Sequence, residues 1–106
     1  MNNFKLYSEY IAIVQRTNNI FDIWFFEQGI KEKQAISAKR RINNLSLSNQ
    51  TKQIIDFLKT HNGPADLLEA FNIREEIEKD VFESNSEISE ASSRIEALEK
   101  QFVNAA

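Results

Sequence analysis

The chain contains very few residues that end a helix: one proline, Pro64, and two glycines, Gly29 and Gly63, among 106 residues. A β-rich chain needs turn residues roughly every eight to twelve positions. Apolar residues here recur three or four positions apart, which is the spacing of one helix face. The sequence therefore predicts an all-α protein, a small helical bundle or a helical hairpin, that forms a single domain over residues 1–106.

The clearest helix boundary in the sequence is the segment 61–64, His-Asn-Gly-Pro. Asn62 or Gly63 supplies the left-handed residue that commonly follows a helix, and Pro64 is tolerated in the first turn of the next one. Asp66 follows at a position where negative charge favours the positive end of a helix dipole. We therefore expect one helix to end near residue 61 and another to begin near residue 64 or 65.

After Pro64 the chain has no further proline or glycine, which predicts one long, coiled-coil-like C-terminal helix over about 65–103. Its apolar residues alternate between heptad positions a and d, with the polar Arg74 and Ser84 in the same register. These apolar residues are Leu67, Ala70, Ile77, Val81, Ile88, Ala91, Ile95, Leu98 and Phe102. Such a helix would be about 57 Å long, more than a compact domain of this size needs. A terminal helix that frays from a bundle is the alternative interpretation.

Three further helices are predicted before Pro64, over about 4–28, 31–45 and 48–61. Ser46 or Ser48 is a suitable N-cap for the third of them. The first two are separate if Gly29 ends a helix and continuous if it does not. In a Schellman ending at Gly29, Ile30 would contact Phe25.

Aromatic residues are concentrated in the segment 20–26, and they point around most of a helix. One core face cannot bury all of them, so we expect part of the cluster to form a protein interface, including one between copies of this chain. A helix covered on several sides inside a bundle is the alternative. The predicted interface residues are Phe21, Trp24, Phe25 and Phe26, joined by Ile88, Ile95, Leu98 and Phe102 of the C-terminal stripe.

Charge is divided unevenly along the chain. Residues 1–64 carry nine Lys and Arg against five Asp and Glu, whereas residues 65–106 carry four against eleven, for a net charge of −3. The basic side chains are densest in the segment 31–41, at Lys31, Lys33, Lys39, Arg40 and Arg41. These residues are predicted to match Glu75, Glu76, Glu78 and Asp80 of the same or another subunit, or to contact an acidic partner or nucleic acid.

Several classes of chemistry have no support in the sequence. Cysteine is absent and His61 is the sole histidine, so no nucleophile–base pair and no metal site with several strong ligands is predicted. We expect no catalytic residue, no cofactor and no metal. There is no evident signal peptide, and no apolar run approaches the ~20 residues that span a bilayer, so the sequence predicts a cytoplasmic protein without a membrane segment. Its Asn and Ile content suggests an AT-rich, bacterial or phage genome.

The function that these patterns favour is a non-catalytic protein–protein interaction module of the adaptor, chaperone, inhibitor or assembly-subunit type. It is expected to self-associate into a homo-oligomer by helix packing. The alternative is a small nucleic-acid-associated regulator that uses the basic segment 31–41.

Overall fold

The computed structural model describes residues 3–79 and 85–105, with side chains described for residues 7–79 and 89–102. Within these residues the chain forms five α-helices and no β-strand, so the all-α prediction is confirmed. The helices are α1 (Asn3–Glu27), α2 (Lys33–Asn43), α3 (Leu47–Thr60), α4 (Ala65–Lys79) and α5 (Asn85–Ala105). No helix in the described part of the chain combines the length and the apolar character that a membrane crossing requires.

The first two helices are separate, and the break lies at Gly29. Helix α1 ends at Glu27, and Gly29 has a φ of +60°, a conformation that residues with a Cβ atom rarely adopt. The Gly29 N–H donates to the Phe26 carbonyl at 3.1 Å, which closes the last turn. Ile30 then packs against the core cluster that contains Phe25, as expected for a helix that ends at this position.

The boundary between α3 and α4 is confirmed at the predicted position. Asn62 is left-handed, with a φ of +55°, and the Gly63 N–H donates to the Leu58 carbonyl at 2.7 Å, as in a Schellman ending. The next helix begins at Ala65, directly after Pro64.

The prediction of one helix over 65–103 is wrong. Glu69 on α4 forms an ion pair with Arg94 on α5, although a straight helix would hold these residues about 37 Å apart. The two helices therefore lie side by side in the bundle. The stripe residues Ala70, Ile77 and Ile95 fill the core of their own chain because both helices turn their apolar faces toward α1.

Helix α1 is the centre of the bundle. It packs most extensively against α5, parallel to it, and also against α4, which runs in the opposite direction. The buried apolar side chains of α1 belong to two clusters. One contains Tyr10, Ile13 and Val14 and the other Ile20, Phe21, Trp24 and Phe25. The buried polar residues Thr17 and Arg74 occupy the level between these two parts of the core.

Candidate functional site

The aromatic cluster of α1 divides into buried and exposed members. Phe21, Trp24 and Phe25 are buried, whereas Phe26 is 72% exposed. The ring of Phe57 on α3 contacts all three buried rings, with centroids 5.6 to 6.3 Å apart. Three of the predicted interface residues, Phe21, Trp24 and Phe25, are therefore buried within the bundle, because α1 is covered on several sides. Phe26 is the exposed member of the cluster.

The C-terminal members of the predicted interface are also turned toward the bundle. Ile95 is buried, and Leu98 and Phe102 are half-buried against the core. The side chain of Ile88 lies outside the described residues. Packing against α1 of the same chain occupies the stripe that the heptad pattern offered to a partner helix.

The basic segment lies mostly in solvent. Lys31, Lys33, Arg40 and Arg41 are exposed, and Lys33 and Arg40 lie on one side of α2 because they are two helical turns apart. Lys39 is the exception, since little of its side chain is exposed.

Lys39 links α2 to the end of α1. Its Nζ lies 2.8 Å from Oδ1 of Asp22 and sits 5.4 and 5.6 Å from the ring centroids of Phe25 and Phe26. The expected pairing of the basic segment with the acidic residues of α4 is not what the described residues show. Lys39 pairs with Asp22 instead, and Glu78 faces the interior of the bundle.

A groove with a volume of about 450 Å³ lies between the C-terminal end of α1 and α2, and we call it the Phe26 groove. Its apolar side is formed by the exposed Phe26 and the half-buried Ile30 and Ile36, and its cations are Lys31, Lys39 and Arg40. No carboxylate is found among the described residues that line it. Part of each predicted surface, the aromatic cluster and the basic segment, is therefore brought together at one place.

A second groove, of about 800 Å³, separates α2 from α3. The ring of His61 lies on that of Phe57 at its edge, with centroids 4.2 Å apart and planes 31° apart. Its charged residues are mixed, since Glu32 and Asp56 line it together with Arg41. Sequence reasoning missed this groove, although the small Ala35 and Ala38 on the inner face of α2 leave room for it.

A buried polar cluster joins α1, α3 and α4 at the level between the two parts of the core. Arg74, which is 0% exposed, donates to Thr17 Oγ1 at 3.1 Å, to Asn18 Oδ1 at 2.8 Å and to the Leu47 carbonyl at 3.3 Å. Burial lowers the pKa of Arg74, and the nearby Glu78 carboxylate opposes that shift. The guanidinium is thus held by neutral acceptors on two helices and by one carboxylate.

Glu78 is the acceptor at the other end of this polar cluster. The Tyr10 hydroxyl donates to Glu78 Oε2 at 2.5 Å, and the Thr51 hydroxyl lies 2.7 Å from the same oxygen. Burial and the Glu78 hydrogen bond raise the pKa of Tyr10 well above its usual value. The polar Arg74 within an apolar heptad stripe was the sequence signal for this cluster. Its position inside the bundle makes its role structural, since it connects three helices.

Among the side chains described for residues 7–79 and 89–102, no three histidine or carboxylate groups come together in a way that could hold a metal ion. His61 is exposed at the end of α3, beside the aromatic ring of Phe57.

Comparisons with protein-family models, with curated proteins and with solved structures each found no match to this chain.

Proposed function

We propose that this protein is a non-catalytic protein–protein interaction module that binds its partner in the Phe26 groove. The observation that carries the proposal is the exposure of Phe26, at 72%, beside further apolar side chains. A single exposed apolar residue is ordinary on a protein surface. Phe26 differs from such a residue because it lies next to Ile30 and Ile36 in a concave surface.

The energy available at this position suits an interface anchor. Burying an exposed Phe side chain is worth about 1.5–3 kcal/mol, close to the 2 kcal/mol or more that defines a hot spot. Surrounding side chains that exclude water are a second requirement of hot spots. Lys31 and Arg40 lie at the edge of the groove, where their aliphatic stems provide such cover.

Self-association stays a prediction, and less exposed apolar surface supports it than the sequence suggested. Most of the apolar surface on which it was based is buried within one chain. Phe26 is the predicted aromatic residue that is left for contact between copies.

The experiment is a selection of binders from a display library of helical peptides with no charge bias, with Phe26→Ser as the test variant. Tyr7→Ser is the matched control, because Tyr7 is an aromatic residue of the same helix, 47% exposed, about 28 Å from Phe26 along the helix axis. The proposal expects binders that retain affinity for Tyr7→Ser and lose it for Phe26→Ser. Binders that are indifferent to Phe26→Ser, or the absence of any binder, would contradict it.

A second candidate function is nucleic-acid binding through the exposed cations of α2. The exposure of Lys33, Arg40 and Arg41 on one short helix favours it. Fluorescence anisotropy with labelled duplex DNA and RNA at 50–200 mM salt tests it, since phosphate contacts give affinity that falls steeply with salt. Arg40→Glu with Arg41→Glu should abolish such binding. Lys52→Glu with Lys100→Glu, on α3 and α5, is the charge-matched control.

A further inference from the structure

The charge of the Phe26 groove specifies the chemistry of its occupant. Lys31, Lys39 and Arg40 line the groove, while Asp22 lies beside it and pairs with Lys39. Two exposed cations, Lys31 and Arg40, are left to face a partner. On the basis of the proposed function, we propose that the segment which docks here is an acidic amphipathic helix of a different protein.

A helix fits the groove better than an extended strand does. The groove runs along α2, whose residues Ile36, Arg40 and Asn43 line it at helical positions i, i+4 and i+7. The side-chain ridges of a partner helix have the same 3–4 spacing, so a helix placed along α2 can pack its side chains between these residues. Strand addition needs the unpaired edge of a sheet, and the described residues contain no strand. The occupant therefore places apolar anchors against Phe26 and carboxylates beside the two exposed cations.

The acidic half of a second copy of the chain could in principle face the groove cations, but its charge alone does not make it the occupant. In the described part of α4 and α5, exposed carboxylates such as Asp66 and Glu76 are present, but the large apolar side chains are buried or half-buried against the core. Among the residues whose side chains are described, the other exposed large apolar residues are Tyr7 and Leu45, and both lie outside the acidic half of the chain. The described surface of a second copy therefore offers acidic charge and exposed apolar anchors at different places.

The test uses a display library of 18-residue helices with Leu, Ile or Phe on one face and an equal mixture of Glu, Gln and Lys at the flanking positions. It is selected against the wild-type chain. Binding is then measured by fluorescence anisotropy for Phe26→Ser, for Lys31→Glu with Arg40→Glu, and for the charge-matched Lys52→Glu with Lys100→Glu. Circular dichroism confirms that each variant retains its helix content. Sedimentation equilibrium of the wild-type chain and of Phe26→Ser reports on self-association.

The proposal predicts that selected peptides are enriched in Glu over Lys. Reversing both groove cations should weaken their binding about ten-fold, while the control pair leaves it unchanged. Selected peptides that depend on Phe26 but show no preference for Glu would overturn the acidic class and leave the docking surface intact. The proposed function would also be overturned if the selected peptides bind Phe26→Ser as tightly as wild type, or if the selection yields no peptide. A dimer that Phe26→Ser dissociates would make a second copy the occupant and refute a different protein.

Discussion

Arg74 and Glu78, one turn apart on α4, form an ion pair inside the bundle, with 3.5 Å between Arg74 Nε and Glu78 Oε2. The Arg74 side chain is fully enclosed and that of Glu78 is 10% exposed. Within the described part of the chain, the Arg74 Nε atom has no hydrogen-bond partner of good geometry. Each charge therefore depends on the other, because the remaining hydrogen-bond partners of both side chains are neutral and water is largely excluded.

This dependence predicts strong coupling between the two residues. Glu78→Leu should lower the free energy of unfolding by about 3–5 kcal/mol, since it leaves a buried guanidinium without its carboxylate. Arg74→Met should have a similar effect, and the double variant should lose clearly less than the sum of the two. Urea denaturation of the four proteins measures these values. Additive losses, or single losses below about 1 kcal/mol, would show that the pair is not coupled.

The raised pKa of Tyr10 predicts that the protein loses folding stability at alkaline pH. Its folded pKa is raised by burial and by Glu78, so the folded chain holds the phenol proton at a pH where the unfolded chain has lost it. The contribution of that proton to stability is complete below the usual tyrosine pKa of 10 and is lost as pH rises above it. Tyr10→Phe should thus be less stable than wild type by about 1–2 kcal/mol near neutral pH, with a gap that narrows above pH 10. Arg74 is present in both proteins, so any effect of its own lowered pKa cancels in this comparison. A difference in stability that stays constant up to pH 11 would contradict the raised pKa of Tyr10.

Glycine is required at positions 29 and 63 for different physical reasons. A Cβ atom at Gly29 meets nothing within 4 Å, so Gly29→Ala should cost only the strain of its φ of +60°, about 1–2 kcal/mol. Gly29→Asn should cost less, because asparagine tolerates this conformation. At Gly63 a Cβ atom would lie 2.5 Å from Leu58 Cδ2, so steric overlap dominates there. Thermal denaturation compares the variants, and equal losses for Ala and Asn at Gly29 would contradict the strain argument.

Trp24 and Phe26 are predicted to differ in how much each contributes to folding stability. Trp24→Ala removes a buried ring and should cost about 3–5 kcal/mol of folding stability. Phe26→Ala removes a ring that is 72% exposed and should cost less than about 1 kcal/mol, chiefly through its contacts with Phe25 and Lys39. Chemical denaturation at equal protein concentration measures both. Comparable losses would mean that Phe26 belongs to the core.

The helix boundaries that follow from local chemistry were predictable, and those that follow from packing were not. Asn62, Gly63 and Pro64 end one helix and begin the next through backbone preferences that sequence reveals directly. The separation of α4 from α5 has no such marker, since the residues at 80–84 are Asp-Val-Phe-Glu-Ser, without glycine or proline. Burial of two apolar faces against α1 favours two helices, and that gain depends on the tertiary fold.

The exposed member of the aromatic cluster could not be chosen from sequence for the same reason. Periodicity gives the angle of Phe25 and Phe26 around α1, but it does not say how much of that helix α3, α4 and α5 cover. Arg74 was visible as a polar interruption of an apolar stripe. Its partners Thr17 and Asn18 lie on another helix and are brought to it only by the fold.

The central claim is that partners bind at the Phe26 groove while the rest of the aromatic cluster holds the bundle together. Amide chemical-shift mapping of the ¹⁵N-labelled chain, titrated with a peptide selected against wild type, tests it most directly. The predicted result is a continuous set of shifted amides at the end of α1 and along α2, centred on Phe26, Ile30 and Ile36. Shifts centred on α4 and α5, with these residues unchanged, would contradict the account.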